Sequence, residues 1–369
     1  GWAHELLARR LEKFLQDVID KKSPRLMVTF PPRHGKSELT SRNFPAWALG
    51  KYPWMEFILA SYGMSLAEKF SRDVLDRIRD PHYGLLFPDM QLKTESADQW
   101  STTSGGGLRA AGARVGVTGM GAHILVIDDP FRDQKDADSD TIRNDTWDWY
   151  TTTAMTRLAP GGGVLIINTR WHDDDLSGRL LERMNEDEEF ERFDCIDFPA
   201  IAEEDEYLSM DDRIVYAPEP GARLLRNKGD AMHPVRYGLK QLNAIKRVLH
   251  PRHWNALYQQ KPVPDDGEFF SRNQFIEIDY GPSLLDGKAY IVCDFAISEK
   301  KLSDWTVIGA ALHMPNDTIH LDDVDRFRSG DSARIVRSMV AMLKRYQAYN
   351  PILVVEDEED VRSTTCGIL

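Results

Sequence analysis

The chain has 369 residues, enough for two domains that each bury a core, and its composition of 42% hydrophobic and 28% charged residues excludes a disordered or fibrous protein. No run approaches the ~20 consecutive apolar residues that cross a bilayer, and the N-terminus carries no secretory pattern. The formal net charge of -13 excludes a globally basic nucleic-acid binder but leaves room for a local basic groove. Cys195, Cys293 and Cys366 are too few and too scattered for a disulfide frame or a zinc site, so the expected setting is a reducing cytoplasm.

In chain order, residues 3–20 place Leu6, Leu7, Leu11, Phe14, Leu15, Val18 and Ile19 on one helix face. That helix is expected to pack on the sheet that follows; a second reading has Gln16 touching a nucleotide base. Leu26 to Phe30 is a short apolar run that reads as a strand, Pro31-Pro32 ends it, and Gly35-Lys36-Ser37 opens a helix. Strand, loop and helix in that order put unpaired backbone N–H groups and the positive end of a helix dipole at one point, which is a phosphate site. There Lys36 would reach the β- and γ-phosphates and Ser37 would hold the Mg²⁺ of a bound nucleotide. The usual loop opens with a Gly five residues before Gly35, where this sequence has Phe30.

Glu56 to Ser61 reads as a second buried strand, and Leu66 to Arg79 as an amphipathic helix closed by Asp80-Pro81. Gly105-Gly106-Gly107, within Trp100 to Arg109, is expected to turn a surface hairpin. His123 to Pro130 is the next informative stretch: a continuous apolar run reads as a central parallel strand, and Asp128 and Asp129 end it where open α/β sheets bind ligands. Asp128 can bind Mg²⁺ through water and Asp129 can orient and deprotonate an attacking water. The alternative is that Asp-Asp-Pro only ends the strand and caps the next helix.

Gly161-Gly162-Gly163 precedes another buried strand, Val164 to Asn168, ending in Thr169-Arg170. A Thr at that edge can sense a γ-phosphate and an Arg can stabilise transition-state charge; equally, the pair can be an ordinary turn with Arg170 in a surface ion pair. Asp173 to Asp175 are expected to cap a helix beginning near Leu176. The pattern weakens from about 200 to 265, and the helix ending in His253 to Pro262 leads to a boundary near Gly267. Domains are therefore expected at 1–200, 201–266 (a linker or small subdomain) and 267–369. In the last, Ala289 to Asp294, Thr306 to Leu312, Thr318 to Val324 and Ile352 to Glu356 read as strands and Ile335 to Tyr346 as a helix. Asp294 and Glu356 can converge on one or two divalent ions, or be unrelated strand-end acids.

The order and wording of these segments resemble the large terminase subunit of tailed double-stranded DNA bacteriophages, the ATP-driven motor and nuclease that packages and cuts the genome. Pro31 to Ser37 looks like that family's variant phosphate loop, with Pro32, Arg33, His34, Gly35, Lys36 and Ser37 lining the nucleotide. Ile124 to Asp129 is similar to its acidic strand-end motif, Ile166 to His172 to its coupling motif, and Trp254 to Pro262 to the junction before the nuclease. Asp294-Phe295-Ala296, Asp304-Trp305-Thr306 and Glu356 resemble the acidic framework of an RNase H-like nuclease.

The resemblance implies an α/β fold: an additional-strand (ASCE) P-loop ATPase with a mostly parallel sheet, then an RNase H/integrase-like nuclease. It implies ATP and Mg²⁺ at Lys36 and Ser37, Arg33 as a cis arginine on the γ-phosphate, Asp128 as the metal-side acid, Asp129 as the base and Thr169 as the coupling residue. The family's base is more usually Glu, so the shorter Asp leaves the division of roles between Asp128 and Asp129 open. Asp294 and Glu356 would bind Mg²⁺ or Mn²⁺, with Asp304 nearby. A third nuclease carboxylate has no candidate after Glu356, so the nuclease half is expected to be incomplete at its C-terminal side. Arg114, Arg143 and Arg157 are equal candidates for a trans-acting arginine finger. The implied partners are double-stranded DNA, a capsid portal protein, a small terminase subunit and further copies in a homo-oligomeric ring, in the host cytoplasm and away from membranes. The alternatives are a P-loop helicase or translocase that does not cut, and a small-molecule phosphotransferase.

Overall fold

The computed structural model describes residues 1–116, 121–263, 287–294, 306–315, 318–327 and 332–355. The chain divides into two units, Gly1–Phe270 and Ser271–Leu369.

The first unit begins with α1 (Trp2–Ile19), β1 (Arg25–Thr29) and a widened π-helical stretch, Glu38–Asn43, that runs into α2 (Phe44–Lys51). There follow β2 (Glu56–Ser61), α3 (Met64–Ile78), α4 (Pro81–Leu86), β3 (Leu92–Glu95), β4 (Gln99–Thr102), β5 (Gly107–Gly112) and β6 (Ala122–Asp128). α5 (Gln134–Asp138), α6 (Asp140–Asp148), β7 (Leu158–Asn168), α7 (Leu176–Glu186) and β8 (Asp194–Asp197) complete the main layer. Eight strands form one sheet in the order β3-β4-β5-β2-β6-β7-β1-β8. All neighbours from β5 to β8 pair in parallel, and β3 and β4 add an antiparallel edge. β7 lies between β1 and β6, which is the additional strand that the resemblance implied.

The inner strands read as unbroken apolar runs because helices cover both faces of the sheet. Phe14, Phe44, Phe57, Trp100 and Val126 pack on one face, and Met27, Ile58, Leu125, Trp149 and Leu180 on the other. α1 packs directly on β7, as expected: a Cβ at Gly163 would lie 2.6 Å from the Phe14 ring. Gly161 to Gly163 therefore lie inside a strand rather than before it, because close approach of the helix admits no side chain there. The β4–β5 hairpin forms as expected with its turn, Thr103 to Gly105, exposed, but its strands are anchored inward. Trp100 and Thr102 are buried, Trp100 Nε1 donates to Ser71 Oγ at 3.1 Å, and a Cβ on Gly106 would come within 2.3 Å of the Met55 carbonyl.

Beyond β8, residues 201–263 belong to the first unit. They contain a small antiparallel sheet, β10-β9-β11, built from β9 (Glu206–Leu208), β10 (Ile214–Val215) and β11 (Arg223–Arg226). α8 (Leu239–Val248) and α9 (Pro251–Leu257) follow, and Leu242 and Trp254 form a local core with Ala200 and Ala231.

In the second unit β12 (Lys288–Asp294), β13 (Thr306–His313), β14 (Ile319–Phe327) and β15 (Ile352–Val355) form a sheet in the order β14-β13-β12-β15. β12 runs antiparallel to β13 and parallel to β15, with Cys293 opposite Val355. α10 (Ser332–Arg345) packs on one face through Ile335, Met339 and Met342 against Ile291 and Ile308, the face that its 3.6-residue spacing marks out. Asp294, Thr306–Leu312, the helix and Ile352–Val355 thus fall on elements where the sequence pattern puts them.

Candidate active site

β1 delivers the chain into a loop whose conformation only a few residue types tolerate. Arg33 and Gly35 both take left-handed φ, 61° and 93°. A Cβ on Gly35 would lie 2.7 Å from His4 Nε2, so conformation and crowding both demand glycine at that position. His4, in the first turn of α1, lies 2.7 Å through Nε2 from the His34 carbonyl, so that its ring N–H donates and braces the loop. His34 Nδ1 lies 2.8 Å from the Pro32 carbonyl, and the ring stacks on Tyr237 with centroids 4.4 Å apart. Burial lowers the His34 pKa to about 4 and lowers that of His4 as well, so both rings are neutral at pH 7. Gln16 is three turns further along α1 and donates to Asp20 at 2.9 Å, so it takes no part at the loop. A single polar residue in a first turn carries no periodic signal, which is why His4 does not stand out in the sequence.

β6 ends at Asp128, and Asp129 then takes a left-handed φ of 47°. Its N–H donates to the Ile167 carbonyl at 2.9 Å and its own carbonyl accepts from Tyr62 N at 3.0 Å, which fixes the turn between β2 and β7. The structure brings Lys36, Asp128 and Asp129 together: Lys36 Nζ is 3.3 Å from Asp128 Oδ1 and forms an ion pair with Asp129 Oδ2. The Asp128 carboxylate is fully buried, whereas the Asp129 side chain keeps 27% of its surface exposed. Ser41 Oγ donates to Asp128 Oδ2, and Ser37 Oγ lies 3.5 Å from Lys36 Nζ. Burial raises the Asp129 pKa, Lys36 opposes that, and the Asp128 charge adds to it. Burial alone would lower the Lys36 pKa; the two carboxylates outweigh it and hold Lys36 above its ordinary value, charged.

Thr169, the residue after β7, touches both halves of this arrangement. Its N–H donates to Asp129 Oδ1 at 2.9 Å and its hydroxyl donates to the Phe30 carbonyl at 3.1 Å. Arg170 is neither at the acidic pair nor in a surface ion pair. Its Nε reaches both Asp175 oxygens at 2.9 and 3.1 Å, both side chains are buried, and Asp175 caps α7 by accepting from Gly178 N at 2.9 Å. One of the three acids expected to cap this helix therefore does so. The Arg170 N–H donates to Gln260 Oε1 at 3.3 Å, which ties the Trp254 to Pro262 block to this turn. Replacing Arg170 with alanine would strand a buried carboxylate. The expected cost is about 3–5 kcal/mol, read as a lower urea midpoint; an unchanged midpoint would contradict the buried pair.

Of the other arginines, Arg114 Nη2 lies 3.7 Å from Asp136, and Arg143 is buried with Asp174 at 2.8 Å. Arg157 sits in the turn just before β7. Arg33 is exposed and pairs with no acid among the described residues. The donors at the loop and the acidic turn, one hydroxyl and two carboxylates, are all oxygens, which suits a hard cation such as Mg²⁺. Asp294 ends β12 and is exposed; Asp304 and Glu356 lie outside the described residues. Among the described residues no three His, Cys, Asp or Glu side chains are grouped to hold a metal ion, and no helix is long and apolar enough to cross a membrane.

Residues 27–226, more than half of the chain, match the family model described as "Terminase large subunit, T4likevirus-type, N-terminal". The chain belongs to the large-terminase family. The matched span contains the phosphate loop, the acidic pair and the Thr169 turn of this terminase. No curated protein matches the chain. Among solved structures it is similar to the large terminase from a thermophilic bacteriophage in complex with ADP, at 11% identity and TM-score 0.39, covering 97% of this chain and 79% of that one. It is similar also to the HK97 bacteriophage large terminase, at 14% identity and TM-score 0.43, covering 97% and 72%. The large-terminase ATPase domain of Thermus phage P74-26 matches at 12% identity and TM-score 0.40, covering 65% and 88%. With TM-scores below 0.5 these likenesses add nothing to the assignment, which the family match carries.

Proposed function

We propose that this terminase chain is an ATP-hydrolysing motor that drives double-stranded viral DNA into a procapsid, and that its second unit holds a metal-dependent endonuclease. The observation that carries the motor reading is the meeting of Lys36, Asp128, Asp129 and Thr169 at the carboxyl edge of one parallel sheet. The N–H groups where the loop enters its helix receive phosphate oxygens, and Lys36 neutralises the charge of the β- and γ-phosphates. Ser37 and Asp128 would hold Mg²⁺, which would supply positive charge against the charge that develops on the phosphates. Asp129 is the more exposed acid and its pKa is raised, as suits a group that orients a water and takes its proton. Arg33, exposed and left-handed within the loop, reaches for the γ-phosphate in cis.

Thr169 couples the two halves: a shift of Asp129 during turnover pulls on its N–H, and its hydroxyl passes the movement to Phe30 at the mouth of the loop. DNA is gripped through phosphates by a local strip of Lys and Arg, so binding is sequence-tolerant and weakens with salt. The setting is a ring of copies on a capsid portal protein, served by a small terminase subunit in the host cytoplasm. For the nuclease, Asp294 and Glu356 would share Mg²⁺ or Mn²⁺ with Asp304 nearby; what supports this is that β12, which Asp294 ends, pairs in parallel with β15, the strand just before Glu356.

The test is ATP turnover and plasmid cleavage by the purified chain. Double-stranded DNA is expected to stimulate turnover several-fold at low salt. Cleavage is expected to require Mg²⁺ or Mn²⁺ and to vanish in Asp294→Ala, with turnover intact. Turnover indifferent to DNA would sink the motor reading; cleavage that survives Asp294→Ala would sink the nuclease site.

A further inference from the structure

We infer that Ser41 is a positioning residue for Asp128, presented by the π-helical turn that follows the phosphate loop; the role rests on the nucleotide-hydrolysing reading above. Lys36 and Ser41 are five residues apart. At ~100° per residue, an uninterrupted α-helix would leave them about 140° apart around the axis. From Glu38 to Asn43 the helix is widened to the i→i+5 spacing; Ser41 lies inside this stretch and Lys36 two residues before it, so Ser41 is turned away from its α-helical position relative to Lys36. The result is a two-handed grip on one acid: Lys36 Nζ on Asp128 Oδ1 at 3.3 Å, and Ser41 Oγ on Asp128 Oδ2. Thr40 Oγ1 donates to the Lys36 carbonyl at 2.9 Å, just ahead of the widened turn. Thr40, Ser41 and Asp128 are fully buried, so no solvent competes for these bonds.

The two grips differ in permanence. Lys36 has a second task at the phosphates and must leave Asp128 to perform it, whereas the Ser41 hydroxyl is fixed on the helix backbone, with the Asp128 carboxylate nearer than its other hydroxyl neighbour, Thr40 Oγ1 at 3.3 Å. Ser41 is therefore the donor that keeps the Asp128 carboxylate aimed while Lys36 is engaged elsewhere. Ser37, the hydroxyl that the loop motif itself singles out, lies toward Lys36 instead, which leaves it available to a metal ion. The division of labour is one serine for the cation and another for the acid that faces it.

The experiment is calorimetric titration of a non-hydrolysable ATP analogue into wild-type, Ser41→Ala and Ser41→Cys protein, each with Mg²⁺ and with EDTA. Ser41→Ala is expected to weaken binding about tenfold with Mg²⁺ and by less than threefold in EDTA. Ser41→Cys, which keeps the volume but offers a weaker donor, should fall between and serves alone if the alanine protein does not fold. Equal losses in both conditions indicate general damage and overturn the inference, as does no loss in either. Wild-type protein that binds no nucleotide at all would instead bring down the underlying reading, and this inference with it.

Discussion

Replacing Lys36 with alanine is expected to lower ATP turnover by at least ~10²-fold, since a preorganised group aimed at developing transition-state charge is worth about that much. The same variant should show a new pH dependence of stability. Lys36 is the cation that opposes burial and repulsion at Asp129. Without it, the carboxyl pKa, already above its ordinary value, rises further. A carboxyl whose folded pKa exceeds its unfolded value contributes stability at low pH and loses it as pH climbs from the unfolded value, near ~4, through the folded one. The thermal midpoint of Lys36→Ala should therefore sit near that of the wild type at pH 4–5 and drop progressively below it toward pH 7.5. Breaking a buried pair costs about 3–5 kcal/mol, and the partial exposure of Asp129 places this case toward the lower end. Turnover above a tenth of wild type would contradict the loop assignment, and a deficit that does not change with pH would contradict the ion-pair account.

Asp129→Asn is expected to be nearly as damaging to turnover, by about 10²–10⁴-fold, the usual worth of a positioned base. Nucleotide affinity should stay within a few-fold of wild type. The amide keeps an oxygen to accept from the Thr169 N–H, so the turn survives, but it cannot take a proton from water. Asp128→Asn should show the other pattern, with weaker magnesium-dependent binding, because its carboxylate is buried beneath the loop between Lys36 and Ser41. Kinetics and titrations on both variants decide the assignment. If Asp128→Asn spares metal-dependent binding and Asp129→Asn abolishes it, the roles are exchanged.

Much of this site is legible in the sequence because its parts sit at the ends of strands buried on both faces. Such strands must be continuous apolar runs, so the loop after Phe30, the acids after Ile127 and the hydroxyl after Asn168 announce themselves by position. In the second unit, the 3.6-residue spacing of Ile335, Met339 and Met342 gives α10 away for a related reason: one face is wet and the other dry. What was not legible depends on contacts between distant segments. Arg170 meets Asp175 five residues on, across the turn into α7, and the packing of that turn, where Gln260 also bonds, buries the pair where the sequence allowed a surface bridge. The glycines at 161–163 look like a loop but serve a helix that lies flat against the strand. Ser41 is invisible for another reason: no residue pattern announces the widened turn on which it sits.

The most direct measurement is a crystal structure of the Asp129→Asn protein grown with ATP and Mg²⁺. The triphosphate is predicted to lie on the loop with Lys36 Nζ bonded to its β- and γ-phosphates, and the ion to sit between Ser37 and Asp128. Phosphates bound elsewhere on the chain, with Lys36 still closed on the acids, would contradict it.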